Sequence, residues 1–115
     1  MEDFIKASRA LADETRLRIL NLLILRECCV CEVVQALSIS QTRTSRNLGI
    51  LHDAGFLNVR KDGLWSVYSI KRGGSRHFDD LLAAVVRALE DNPVAAGDRE
   101  RLRKARRLGP DCISE

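Results

Sequence analysis

The stretch SISQTRTSRNLGILHDAGFLNVRKDGLWSVYSI, residues 38–70, changes its hydrophobic period halfway along, and that change decides the fold. Ser38 and Ser40 are turn and N-cap residues. Residues 41–53 then hold Leu48 and Leu51 on one helical face until Gly55 stops the helix. Beyond Gly55 the period becomes two. FLNVRK and LWSVYSI are rich in Val, Ile, Tyr and Trp, and Asp62-Gly63 between them is a two-residue hairpin signal. Upstream the spacing is helical throughout. It predicts a helix over residues 2–12, carrying Phe4, Ile5, Ser8 and Leu11, and a second over 14–26 with Asp13 as its N-cap. In the second helix Leu17, Leu20, Leu23 and Ile24 face inward and few polar positions remain, so it reads as the buried centre. A short third helix over 30–37 has Val33 and Leu37 on one face.

Two helices joined by a tight turn and followed by a hairpin make a winged helix-turn-helix, a mainly α fold with a β-hairpin. At 115 residues and 45% hydrophobic, the chain builds one core and stays marginal unless it buries further surface, so a homodimer is expected. After Gly73-Gly74, the segment RHFDDLLAAVVRALE places Phe78, Leu81, Leu82, Val85, Val86 and Leu89 on one stripe too wide for a terminal helix. With Phe4 and Ile5 it is the expected dimer interface. The sequence thus divides into a DNA-binding and dimerisation domain over residues 1–92 and a basic tail over 93–115, which carries Cys112 and reads as a solvated helix. No apolar run approaches the roughly 20 residues that span a bilayer. The N-terminal MEDFIKASRALADETRL lacks the layout of a secretory signal, so the expected location is the cytoplasm, with no membrane partner.

The net charge of +3 permits contact with a polyanion without demanding it. The placement of charge says more. Gln41, Thr42, Arg43, Thr44, Ser45 and Arg46 occupy the first turns of the fourth helix, with Arg43 and Arg46 at i, i+3. Arg takes guanine O6 and N7 bidentately, Gln does the same for adenine, and hydroxyls serve phosphates or bases. Arg60 and Lys61 at the hairpin tip add phosphate contacts. The six Lys and Arg residues between 99 and 107 could reach flanking phosphates.

The segments LADETRLRIL, ECCVCEVVQAL, SQTRTSRNLGIL, AGFL and VRKDGLWSVYSI, in this order, resemble the ArsR/SmtB family of metal-sensing winged-helix repressors, and in particular its arsenic-operon branch. The resemblance covers about residues 9–70. It implies a homodimer on a palindromic operator in double-stranded DNA, released when trivalent arsenic or antimony binds cysteine thiolates, with no organic cofactor and no enzymatic activity. The family's recognition positions fall on Ser40, Gln41, Ser45 and Arg46, while Thr42 and Asn47 stand where the family usually has proline and histidine. Glu27, Cys29, Val30, Cys31 and Glu32 match the framework of its arsenic site, whose third cysteine falls on Val34.

Clustered thiols in a reducing compartment read as a metal, metalloid or redox site rather than a disulfide framework, and a soft ion favours thiolate sulfur. Cys29 and Cys31 are the expected ligands, and either Cys28 or Cys112 completes the set. On a regular helix Cys28 and Cys31 share a face and Cys29 points about a quarter turn away. Cys28 is preferred because it needs no loop closure, whereas Cys112 must order a charged tail. A redox sensor using vicinal thiols, or a cadmium, lead or zinc sensor of the same fold, is the alternative. Asp79, Asp80 and a single His77 on the last long helix are too few for a zinc site there.

Overall fold

The computed structural model describes residues 1–108, so the expectation for Cys112 lies outside the described residues. Six helices and three short strands follow the order α1 (Glu2–Leu11), α2 (Glu14–Leu25), β1 (Cys28–Cys29), α3 (Val30–Leu37), α4 (Gln41–Asp53), β2 (Leu57–Asp62), β3 (Trp65–Ile70), α5 (Arg76–Leu89) and α6 (Pro93–Lys104). The architecture is a winged helix-turn-helix. Its wing is a three-stranded antiparallel sheet in the order β1-β3-β2 rather than a two-stranded hairpin.

Helix α2 is the axis of the core. The Asp13 carboxylate accepts from the Arg16 amide at 3.1 Å and so starts the helix. Ile19, Leu20 and Leu22 are fully buried against Leu48, Leu51 and Phe56 from α4 and the segment after it. Helix α1 reaches this core through Ala7 and Ala10, whose small side chains let two backbones approach. Ser38 ends α3 in the left-handed region at φ 58°. Ser40 then caps α4, accepting from the Arg43 amide at 3.1 Å. Gly55 ends α4 at φ 98°, where a Cβ would stand 2.6 Å from the Phe78 ring. Conformation and space both demand glycine there.

The hairpin loop lies one residue later than the sequence suggests. Asp62 still pairs with Trp65 across β2 and β3, so Gly63 and Leu64 form the loop, with Gly63 at φ 64°. Arg60 and Lys61 accordingly sit on the β2 strand opposite Val67 and Ser66, just short of the tip.

The stripe on α5 divides. Leu82 and Val85 are buried in the protomer's own core, and Phe78 stacks on Phe56 with ring centroids 5.1 Å apart. Leu81 and Leu89 are half-buried against that core, while Phe4, Ile5 and Val86 remain exposed. His77 lies edge-on to the rings of Phe4 and Phe78.

The segment read as a solvated basic tail is instead a docked helix. Asn92 caps α6 at the Ala95 amide, 3.0 Å away, with Pro93 in the first turn. Ala95, Asp98 and Leu102 are buried against α2 and α3. The physical reason is Asp98. Its carboxylate is fully buried and accepts from Arg18 Nε and Nη2 and from Arg101 Nη2, all at 2.8 Å. The same two arginines close the end of α3: Arg18 Nη2 donates to the Leu37 carbonyl at 3.3 Å, and Arg101 Nε to the Ala36 carbonyl at 2.7 Å. The Asp98 carboxylate raises the pKa of the Arg18 guanidinium further. Among the described residues no helix is long and apolar enough to cross a membrane.

Candidate nucleic-acid interface and thiol site

The exposed face at the start of α4 carries Gln41, Thr42, Ser45 and Arg46 to solvent together with the Ser40 cap. Thr44, one of the six residues at the start of this helix, is fully buried and donates its hydroxyl to the Ser40 carbonyl at 2.8 Å. Arg43 does not simply parallel Arg46. Its Nη2 leans back to the Thr15 hydroxyl at 2.9 Å, tying α4 to α2. Asn47, where the resembling family usually has histidine, is buried and makes the second tie. Its Oδ1 accepts from Arg16 Nη1 at 3.0 Å and its Nδ2 donates to the Arg43 carbonyl at 2.9 Å. Arg16 in turn donates through Nε to the Ala10 carbonyl at 2.7 Å, so one guanidinium joins three helices. The result is an exposed polar face on a firmly braced helix, with Arg46 directed to solvent and Arg43 leaning back to Thr15.

On the wing, Lys61 is exposed while Arg60 pairs with Glu27 at 2.6 Å. A phosphate approaching Arg60 would compete with a carboxylate next to the cysteines.

The three described cysteines do not converge. Residues 28 and 29 form a strand, with Cys28 opposite Tyr68 and Cys29 opposite Val67 on β3. Successive side chains on a strand point to opposite faces. Cys28 therefore enters the main hydrophobic core, its nearest polar partner the Arg26 carbonyl at 3.6 Å, and burial pushes its thiol up to about 12. Cys29 faces the other way and meets Cys31 from the first turn of α3, with the two Sγ atoms 2.8 Å apart. A helical reading pairs Cys28 with Cys31. The extended backbone at β1 reverses this and pairs Cys29 with Cys31.

Around this sulfur pair lie Glu32, which the sequence framework includes, and Trp65, Gln35 and Leu108, which sequence reasoning did not single out. Trp65 from β3 packs on both thiols, and its indole N–H is buried with no hydrogen-bond partner among the described residues. The Glu32 carboxylate accepts from the Cys29 amide at 2.9 Å and is held by Arg26 at 3.1 Å, which fixes the start of α3. After α6 the chain crosses directly over the site. Gln35 clasps Arg106, its Nε2 donating to the Arg106 carbonyl at 2.6 Å and its Oε1 accepting from the Arg106 amide at 3.2 Å. Arg107 lies over the Trp65 ring, 5.2 Å from its centroid, and pairs with Asp62 at 2.8 Å. That guanidinium holds the Asp62 carboxyl below the usual range. The Leu108 amide donates to Cys31 Sγ at 3.4 Å. The one sequence signal for this wall was Trp65, the single tryptophan in the chain.

The donor set fits a soft ion in part. Two sulfurs within contact distance match the preference of thiophilic metals and metalloids for thiolate, but no group of three potential ligands occurs among the described residues.

Residues 13–59 match the family described as bacterial regulatory protein, arsR family. The arsenic resistance transcriptional regulator ArsR1 of Pseudomonas putida is 41% identical over 72% of this chain and 66% of its own, so the chain spans just under two thirds of that relative. A probable mercury resistance operon repressor of Streptomyces lividans is 39% identical over 76% of this chain and 67% of its own. Among solved structures, the homodimeric winged helix-turn-helix DNA-binding domain Mb0332 from Mycobacterium bovis superposes with a TM-score of 0.66 at 27% identity, covering 80% of this chain and 82% of that one. The exposed polar face on α4, the three-stranded wing and these likenesses together place the chain in the arsR family of bacterial transcriptional regulators.

Proposed function

We propose that this regulator is a cytoplasmic homodimeric repressor that holds an arsenic-resistance type operator through α4 and the wing, and releases it when trivalent arsenic or antimony binds Cys29 and Cys31. The observation that carries the reading is the 2.8 Å approach of the two sulfurs at the junction of wing and helix-turn-helix. Strand β1 hydrogen-bonds to the wing while α3 packs on α4. Any ligand that resets the separation of the two sulfurs therefore acts at once on both DNA-contacting parts. Ser40, Gln41, Thr42, Ser45 and Arg46 approach base edges and phosphates, Arg43 braces the helix through Thr15, and Lys61 with Arg60 reaches the backbone beside them. Phe4 and Ile5, exposed and next to the α5 stripe, contribute to the contact between subunits.

Operator and inducer favour different conformers, so each lowers the affinity for the other by the same factor, typically ~1 to 3 kcal/mol or about 5- to 150-fold. The test is operator binding followed by fluorescence anisotropy during titration with arsenite, antimonite, cadmium, zinc, mercuric ion and peroxide. Release by arsenite or antimonite at concentrations where zinc does nothing supports the reading. Release by mercuric ion alone would move the protein to another soft-metal class. The sulfur pair also favours a second reading, a thiol switch closed by oxidation. Release by peroxide that a reductant reverses would select it.

A further inference from the structure

We infer that Arg16 and Asn47 are positioning residues: their hydrogen bond sets the angle of α4 against α1, and through it the separation of operator half-sites that the dimer accepts. The inference rests on the proposed reading of the chain as a dimer on a two-part operator, with α1 in the subunit contact. Its own support is the geometry of two largely buried side chains.

The Arg16 side chain is 16% exposed and reaches from α2 to two other helices. Nε donates to the Ala10 carbonyl at 2.7 Å and Nη2 to the Arg9 carbonyl at 3.4 Å. Both acceptors lie in the last turn of α1, where carbonyls lack helical partners and a cation suits the helix dipole. Nη1 crosses to α4 and donates to Asn47 Oδ1 at 3.0 Å. Among the described residues no other side chain hydrogen-bonds to both α1 and α4.

Asn47 is matched to this role. It is 6% exposed, and Nδ2 donates to the Arg43 carbonyl at 2.9 Å, one turn back on α4, which leaves Oδ1 facing Arg16. The reversed amide would set its own N–H groups against a guanidinium that only donates.

Apolar packing does not supply the same constraint. Leu48 and Leu51 seat α4 on the core, but burial is non-directional and leaves rotation about that line of contact to the polar ties. The Arg43–Thr15 bond ties α4 to α2 alone. Beside Arg16 the seam between α1 and α4 stays open, with a cavity of about 270 Å³ between Lys6, Arg9 and Ala10 on one side and Ile50, Asp53 and Ala54 on the other. Where side chains do not interlock, a directional bond decides the angle.

A small change in this angle is large at the DNA. Helix α4 has 13 residues, so it is about 20 Å long, and a tilt of ~10° about its centre moves its end by roughly 1.7 Å. Two-fold symmetry doubles the change between subunits to as much as about 3.4 Å, one base-pair step. The bond that holds the angle therefore specifies spacing to the base pair.

The experiment selects bound duplexes from a random pool with the full chain, as wild type, Asn47→Ala, Asn47→Asp and Arg16→Lys, and reads half-site bases and half-site spacing separately. Circular dichroism and light scattering establish which variants are folded dimers. If Asn47→Ala fails to fold, Arg16→Lys, which keeps the cation at the end of α1, carries the comparison. Wild type should prefer its own spacing over one a base pair longer by at least about 5-fold, the loss from a single mismatched pair. Asn47→Ala and Arg16→Lys should bring that preference below about 2-fold, less than any mismatch costs, with the half-site bases unchanged. Asn47→Asp, which keeps the acceptor for Arg16, should retain it. An unchanged preference in a folded Asn47→Ala or Arg16→Lys dimer, or its loss in Asn47→Asp as well, would overturn the inference alone. A wild type that selects no two-part site would overturn the reading of a dimer on an operator, and the inference with it.

Discussion

Asp98→Ala tests whether α6 is part of the regulator's working body. The Asp98 side chain is fully buried and receives three hydrogen bonds of 2.8 Å, two of them from Arg18, whose side chain is only 18% exposed. Removing the carboxylate leaves a largely buried guanidinium with one remaining acceptor, the Leu37 carbonyl at 3.3 Å. Breaking a buried pair this way costs about 3 to 5 kcal/mol, and the partial exposure of Arg18 places the expected loss near ~3 kcal/mol. At about 4 to 8 °C per kcal/mol for a domain near this size, the melting temperature falls by roughly 12 to 24 °C. Urea titration and thermal melts followed by circular dichroism, at one fixed protein concentration because assembly shifts apparent stability, measure both numbers. Glu100→Ala is the control, since the Glu100–Arg103 pair is exposed and its removal should leave both midpoints unchanged. A loss below about 1 kcal/mol in Asp98→Ala would refute the claim that a buried ion pair docks the helix.

Arg46→Ala should weaken binding to a specific operator by roughly 1 to 3 kcal/mol, the worth of a bidentate base contact. Lys61→Ala should instead weaken specific and random DNA alike and flatten the salt dependence, and the reverse pattern in anisotropy titrations would exchange their roles. Because the single tryptophan lies against both sulfurs, arsenite should shift or quench its emission at one equivalent per subunit. Unchanged emission with arsenic bound would place the ligand elsewhere. Phe4→Glu with Ile5→Glu should convert a dimer to folded monomer in light scattering, and an intact dimer would remove α1 from the subunit contact.

The helix-turn-helix was legible because its signals are local. Ser40, the apolar positions of α4 and Gly55 act within a few residues of themselves, and α3 and α4 begin and end where their caps and spacing say. The hairpin missed its loop by one residue for an equally local reason. Asp-Gly is a good loop pair in isolation, but here Asp62 stays in the strand opposite Trp65 and holds Arg107 with its carboxylate. The apolar stripe on α5 was legible only as a sum, since apolar periodicity cannot separate residues spent on the protomer's own core, such as Leu82 and Val85, from those left over, such as Val86.

The sulfur geometry was not legible, because what sets it is a pairing between residues about forty positions apart. Helical spacing ranks Cys28 with Cys31. Only the register of Cys28 with Tyr68 and Cys29 with Val67 makes the backbone extended at that point and inverts the ranking. Helix α6 hid for a related reason. Its buried stripe is Ala95, Asp98 and Leu102, two small or charged residues and one leucine, so no hydrophobic pattern announces it amid four cations. The clue that sequence reasoning could have used is the acidic residue itself. An aspartate three positions before an arginine on a basic helix has a local partner, but one arginine in the first half of the chain, Arg18, makes it a buried bidentate site. The consequence reaches past stability. Asp98, midway along α6, and its arginine partners hold the helix against the end of α3, and residues 106–108 just beyond the helix are seated on Gln35, Trp65 and Cys31. A packed segment held at two points can carry displacement between them. Under the proposed function, the basic segment would then join the end of α3, which leads into α4, to the sulfur pair.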